Sequence, residues 1–129
     1  MSLRKKILII EDDQILAEMY QLKFINNGYS VDILLDGSKV GNYLKTNKPD
    51  LIVLDIILPG QNGLMILKKM RKKSDSQNIP VVILTNLSQT DIDMNEHLAK
   101  VLGIRDYLIK AKWTPSKVVE RVQKIIGEA

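Results

Sequence analysis

Asp55 closes the apolar run Leu51-Ile52-Val53-Leu54, and the cluster Glu11-Asp12-Asp13 closes another, Lys6-Ile7-Leu8-Ile9-Ile10. Thr85 ends Val81-Val82-Ile83-Leu84, and Lys110 ends Asp106-Tyr107-Leu108-Ile109. Short apolar runs bounded by turn signals read as strands buried on both faces. Carboxylates are rarely buried unless paired or bound to a cation, so a strand-end Asp in such surroundings needs a partner. An Asp in a βα loop also serves to cap the next helix. The turn signal Pro59-Gly60 argues against a helix starting directly after Asp55. Open α/β sheets place ligand sites at the carboxyl ends of their strands. Acid, acid, hydroxyl and ammonium at four such ends compose a site for a phosphate and a cation. No member carries that reading alone.

The elements that must position these groups alternate strand and helix five times. Residues 6–10 form the first strand, and 14–26 the first helix, stopped by the C-cap pattern Asn27-Gly28. Residues 30–34 alternate apolar and polar, as at a sheet edge. A short helix over 37–46, the buried strand 51–55 and a helix over 62–73 follow, then an exit loop over 74–78. Pro80 introduces the strand 81–85. Ser88 is placed as the cap of a fourth helix closed by Gly103. The fifth strand is placed at 106–109. Thr114 caps the last helix, Pro115 opens it, and Val118, Val119, Val122, Ile125 and Ile126 mark its apolar face. Such alternation predicts a (βα)5 unit: an α/β fold with a doubly wound, five-stranded parallel sheet covered on both sides.

At 129 residues the chain is long enough for one domain with a proper core, and 45% hydrophobic against 26% charged is a globular balance. No apolar stretch approaches a membrane span and no signal peptide pattern is present, so no membrane partner is expected. Cysteine is absent, which excludes thiolate metal sites and fits a reducing compartment; the expected location is the cytoplasm. The net charge of +4 raises the question of a polyanion partner. Its densest stretch, Lys68-Lys69-Met70-Arg71-Lys72-Lys73, reads instead as a solvated helix end that complements the helix dipole. No aromatic residues interleave the lysines, and no recognition helix or zinc-finger spacing is present, so direct DNA binding is not expected.

From end to end, the chain resembles a receiver domain of two-component response regulators. Residues 7–13, Leu54-Asp55-Ile56-Ile57-Leu58-Pro59-Gly60 with Gly63, Val82-Ile83-Leu84-Thr85 and residues 106–110 carry the likeness in the family's order and spacing. The resemblance implies a flavodoxin-like sheet of order 2-1-3-4-5, an order for which a chemotaxis receiver is a standard example. It implies that Asp55 is the phosphoacceptor for a sensor histidine kinase or histidine phosphotransfer protein. Asp12, Asp55 and the backbone carbonyl of Ile57 would ligate Mg²⁺, with Mn²⁺ as a substitute and Glu11 assisting through water. Asp13 reads as a first-turn helix acid. Thr85 and Lys110 would bind phosphoryl oxygens, and Thr85 with Tyr107 would form the switch. Read without the resemblance, these are a β-branched strand residue, a surface lysine and a half-buried strand tyrosine. Residues 1–129 would be one receiver domain with no effector and no enzymatic turnover. Its output face, the fourth helix, fifth strand and fifth helix, would bind a downstream protein or a second copy.

The sequence departs from the family pattern at several positions. Ala111 follows Lys110 where the family has Pro, often in a cis peptide, so this bond is expected either trans or strained. Asn86 replaces a smaller residue that keeps the site open to small phosphodonors. Apolar Ile57 and Leu87 cannot orient a water by hydrogen bonding, which predicts a long-lived acyl phosphate. Asn62 stands for a frequent Asp, with a local effect on capping. His97 is read as a helix-surface residue and Trp113 as a packing residue. Two other functions compete: a docking module that no longer uses phosphate, and a Mg²⁺-dependent phosphohydrolase, disfavoured because Ile57 stands where a general acid would. Nucleotide binding lacks both a P-loop and G-x-G-x-x-G.

Overall fold

The computed structural model describes residues 4–88 and 94–127. Five strands, numbered as members of one sheet, carry the fold: β1 (Lys6–Ile10), β2 (Ser30–Leu34), β3 (Leu51–Leu54), β4 (Val81–Thr85) and β5 (Ile104–Ile109). All pair in parallel in the order β2-β1-β3-β4-β5, the doubly wound arrangement expected. Parallel neighbours need a crossover between them. The helices α1 (Gln14–Asn26), α2 (Val40–Thr46), α3 (Gly63–Arg71) and α4 (Glu96–Leu102) supply these, and α5 (Pro115–Ile126) closes the chain.

Alternation along the buried strands sorts their side chains into two layers. Leu8, Ile10, Ile52, Leu54 and Ile83 pack with Val40 of α2, Leu67 and Met70 of α3 and Leu102 of α4. Ile7, Ile9, Leu51, Val53, Val82 and Leu108 face the other way, against Tyr20 and Phe24 of α1 and Val118, Val119 and Val122 of α5. Each such aliphatic side chain contributes about 1.5–3 kcal/mol by leaving water. The second layer is latched where Lys5 and Tyr29 meet the end of α5. The buried Tyr29 ring meets Phe24 edge-on at 5.6 Å and its hydroxyl donates to Gly127 O at 2.7 Å, while Lys5 Nζ donates to Ile126 O.

Several boundaries differ from the sequence reading. Asp55 lies just past β3 instead of closing it. Residues 37–39 form a 3₁₀ turn, capped by Asp36 accepting the Ser38 N–H, before α2 begins at Val40. A small hairpin that alternation could not announce, Ile57–Leu58 against Gln61–Asn62, turns at Pro59-Gly60 with Gly60 at φ 67°. Residues 89–91, expected to open the fourth helix with Ser88, lie outside the described residues. Met94 and Asn95 are not helical, and it is Asn95 that caps α4 by accepting the Leu98 N–H at 2.8 Å. Strand β5 starts two residues earlier than expected because Arg105 is unmatched between the Val81–Ile104 and Val82–Asp106 pairs, an irregularity that breaks the period. Thr114 and Pro115 start α5 as expected, and Gly28 follows the Asn27 cap at φ 93°.

Candidate functional site

The register of the sheet lines up the residues that the sequence singled out. Ile10 lies opposite Leu54, Leu54 opposite Ile83, and Thr85 opposite Ile109. Glu11 and Asp55 therefore leave neighbouring strands side by side, with Thr85 and Lys110 a step along. Backbone bonds fix the two acids, Glu11 N–H to Leu34 O and Asp55 N–H to Ile10 O, each at 3.1 Å. Glu11 and Asp55 are 3% and 5% exposed and Thr85 is fully buried, whereas Asp12 is exposed.

One ammonium serves both buried acids. Lys110 Nζ donates to Asp55 Oδ2 at 2.6 Å and forms a still closer ion pair with Glu11 Oε1. The other oxygens are held by the backbone: Glu11 Oε2 accepts the Asp13 N–H, and Asp55 Oδ1 accepts the Ile57 N–H, both at 3.1 Å. Burial would by itself push Lys110 down, but the two carboxylates outweigh it and its pKa stands above the ordinary value. Burial raises the Glu11 carboxyl, against the opposing pull of Lys110 and the Asp13 N–H. Asp13 is an N-cap rather than a first-turn acid, its side chain accepting the Leu16 N–H at 3.1 Å.

Glu11, Asp12 and Asp55 offer carboxylate oxygens that all lie within 4.8 Å of one another. Three hard oxygen donors at an edge open to water through Asp12 fit a hydrated divalent cation such as Mg²⁺. Glu11 also pairs directly with Lys110, so the ammonium already answers part of the cluster's charge.

Thr85 Oγ1 accepts the Leu87 N–H at 3.4 Å, which leaves its own O–H to donate. The Tyr107 hydroxyl donates to Leu87 O at 2.7 Å, so this half-buried ring is tied to the loop after Thr85. Asn86 is exposed and Ile57 is 55% exposed, both at the rim. Every peptide among the described residues, Lys110–Ala111 included, is trans. Asn62 caps α3, accepting the Leu64 N–H at 2.8 Å. His97 is exposed on α4, while Trp113 packs against the α1/α5 layer with the Arg121 guanidinium 5.3 Å from its ring centre.

Two residues support the site: Gly63, which carries the family likeness in the sequence without a stated role, and Tyr20, which the sequence reading missed. A Cβ on Gly63 would lie 2.2 Å from Asp55 O and 2.8 Å from Ile56 Cα, and its N–H donates to Ile56 O at 2.8 Å. Only glycine lets the start of α3 press on the backbone that carries Asp55. Tyr20 of α1 is buried; burial raises its pKa, and it feels the charges of Lys110, Glu11 and Asp55. Its place one turn from Ala17 and Phe24 on the inner face of α1 was the available signal.

A family model described as the response regulator receiver domain matches residues 7–123. The chain belongs to this family. A DNA-binding response regulator, MtrA of Mycolicibacterium smegmatis, is 32% identical over 122 residues, which are 95% of this chain and 50% of that protein. The transcriptional regulatory protein DltR of Streptococcus agalactiae is 37% identical over 105 residues, 81% of this chain and 45% of its own length. The chain thus spans about half the length of the curated relatives it matches. Among solved structures, the receiver domain of the Francisella response regulator 1452 superposes with a TM-score of 0.80 at 31% identity, covering 95% of this chain and 97% of that one. A putative response regulator of Chloroflexus aurantiacus gives 0.79 at 31% identity, covering 98% and 100%. The protein is therefore a receiver domain of the two-component response regulator type with a flavodoxin-like fold. Among the described residues no helix is long and apolar enough to cross a membrane.

Proposed function

We propose that this receiver takes a phosphoryl group onto Asp55 from a phosphohistidine of a sensor kinase or phosphotransfer protein. The observation that carries this reading is the single ammonium of Lys110 shared between buried Glu11 and Asp55, beside exposed Asp12 and the Thr85 hydroxyl. Three carboxylates against one ammonium leave an excess of negative charge that favours a second cation.

In the transfer, an Asp55 carboxylate oxygen attacks phosphorus, the P–N bond breaks, and the donor imidazole leaves with that electron pair. Bound Mg²⁺ would neutralise charge on the transferring group, held by Asp12, Asp55 and the Ile57 carbonyl with Glu11 behind a water. Lys110, a mobile point charge, passes from Asp55 to a phosphoryl oxygen. The Thr85 hydroxyl donates to another. Its shift draws on the Leu87 loop, and through that loop on the Tyr107 hydroxyl, which alters the face built by α4, β5 and α5 for a downstream protein or a second copy. No carboxylate stands two residues after Asp55, so the chain is a phosphoacceptor and not a turnover phosphohydrolase.

Intact mass spectrometry after incubation with acetyl phosphate and Mg²⁺, and in parallel with a phosphorylated histidine phosphotransfer domain, tests this reading. One phosphoryl adduct is expected, absent from Asp55→Asn and without the metal. Apolar Ile57 and Leu87 predict that it persists for hours after the donor is removed. An adduct on Asp55→Asn, or none from either donor, overturns the assignment; the latter result would leave a docking module that works without phosphate.

A further inference from the structure

We propose that the cavity between α2 and α3 binds a small anionic amphiphile, a molecule with an apolar body and one carboxylate, sulfonate or phosphate head. The cavity holds about 400 Å³, within the usual range for small-molecule pockets, and shares no residue with the phosphoacceptor site. Val40 and Leu44 of α2 and Ile66 and Met70 of α3 line it with apolar surface. Lys45, Lys69, Lys72 and Lys73 stand exposed around it, and among the described residues Asp75 is the one acid in the lining. Four ammonium groups against one carboxylate give the rim a net positive charge that an anionic head would answer. Flexible point charges suit a single charged head better than a rigid bidentate one.

Two glycines on the same wall differ in what faces them. A Cβ on Gly37 would lie 2.3 Å from Ile66 Cδ1, so glycine there lets the wall close on α3. A Cβ on Gly41 would meet nothing within 4 Å, and Gly41 is not among the glycines with positive φ. Neither a turn nor a close approach requires glycine at 41, inside a helix of seven residues where it costs about 1 kcal/mol against alanine. What its missing side chain does is leave the cavity open.

Fluorescence titration of the full chain with anilinonaphthalenesulfonate, an anionic amphiphile of suitable size, tests the site. One saturable site is expected, with the uncharged phenylnaphthylamine binding at least about tenfold more weakly. Gly41→Leu, which fills the space, abolishes binding while its thermal unfolding midpoint is no lower than that of the parent. Lys69→Gln with Lys73→Gln weakens binding several-fold and leaves the fold intact. Binding to Gly41→Leu as to the parent, equal affinity for the neutral dye, or non-saturating uptake overturns the proposal. Should Gly41→Leu fail to fold, amide chemical shifts on titration of the parent decide: perturbation centred on Gly41, Ile66 and Met70 sustains the site, and perturbation elsewhere overturns it.

Discussion

At the amino end of β4 and β5, Arg71 Nε donates to Leu102 O at 2.6 Å, Nη1 to Ser76 O at 2.8 Å and Nη2 to Ile79 O at 2.6 Å. At the carboxyl end of β5, Lys110 lies between the carboxylates of Glu11 and Asp55. Both cations are partly buried, yet their surroundings shift them in opposite directions: burial lowers Arg71, while paired carboxylates raise Lys110. Backbone carbonyls offer Arg71 fixed geometry and no countercharge, so its planar fork is locked and inert. Carboxylates offer Lys110 charge and little geometry, so its position depends on what charge Asp55 carries. One sheet thus keeps a staple at one end and a responsive contact at the other.

The largest effect should come from removing the staple. Arg71→Ala strips three charge-assisted bonds and leaves three inward carbonyls, an expected loss of about 3 kcal/mol in urea unfolding. Arg71→Lys should recover less than half, since an ammonium cannot reproduce the fork; full recovery would break the contrast. Gly63→Ala comes next. Its Cβ meets backbone rather than a yielding side chain, for an expected cost of about 2 kcal/mol and a shifted Asp55 amide resonance. An unchanged resonance would show that the loop carrying Asp55 does not depend on that approach.

Lys110→Ala should cost a similar amount, about 2 kcal/mol, because it leaves the buried Glu11 and Asp55 carboxylates unpaired while the edge at exposed Asp12 admits water and ions. Millimolar Mg²⁺ should restore that loss and leave the Arg71→Ala deficit untouched, which separates a site answered by charge from one answered by shape. The smallest effect concerns an exposed acid that follows β2, apart from both the staple and the Lys110 cluster. The Ser38 backbone N–H holds the Asp36 carboxyl below its ordinary value of 3.8. Its contribution is therefore present in full above that value and fades as pH falls through the lower folded one. Asp36→Asn should remove this acid-range slope; an Asp36 carbon titration at the ordinary value would contradict it.

Most of the sheet was legible because its strands read locally: β1, β2 and β4, as well as α1, fall where runs and caps place them. The site residues were legible one strand end at a time, whereas their mutual distances depend on register. What stayed hidden was set by tertiary contact. Arg71 sits in a run of lysines, and nothing in the run says that one member turns inward while Lys68, Lys69, Lys72 and Lys73 stay exposed. Ser88 and Asn95 are equally good caps in isolation, and only the folded chain chooses Asn95 for the described helix. Two-residue strands such as Ile57–Leu58 are too short to show a period. Gly37 and Gly41 look alike in sequence, and what stands opposite each is set by the fold.

The in-phase pairing of Ile10, Leu54 and Ile83, and of Thr85 with Ile109, gives the chain an uneven tolerance for changes in length. A residue added within β1, β3, β4 or β5 would displace one functional group by about 3.3 Å and turn it to the opposite face. The connections at the other end, over residues 47–50 and 74–79, carry none of these groups. Insertions there leave the spacing of Glu11, Asp55, Thr85 and Lys110 intact as long as Arg71 keeps its carbonyls.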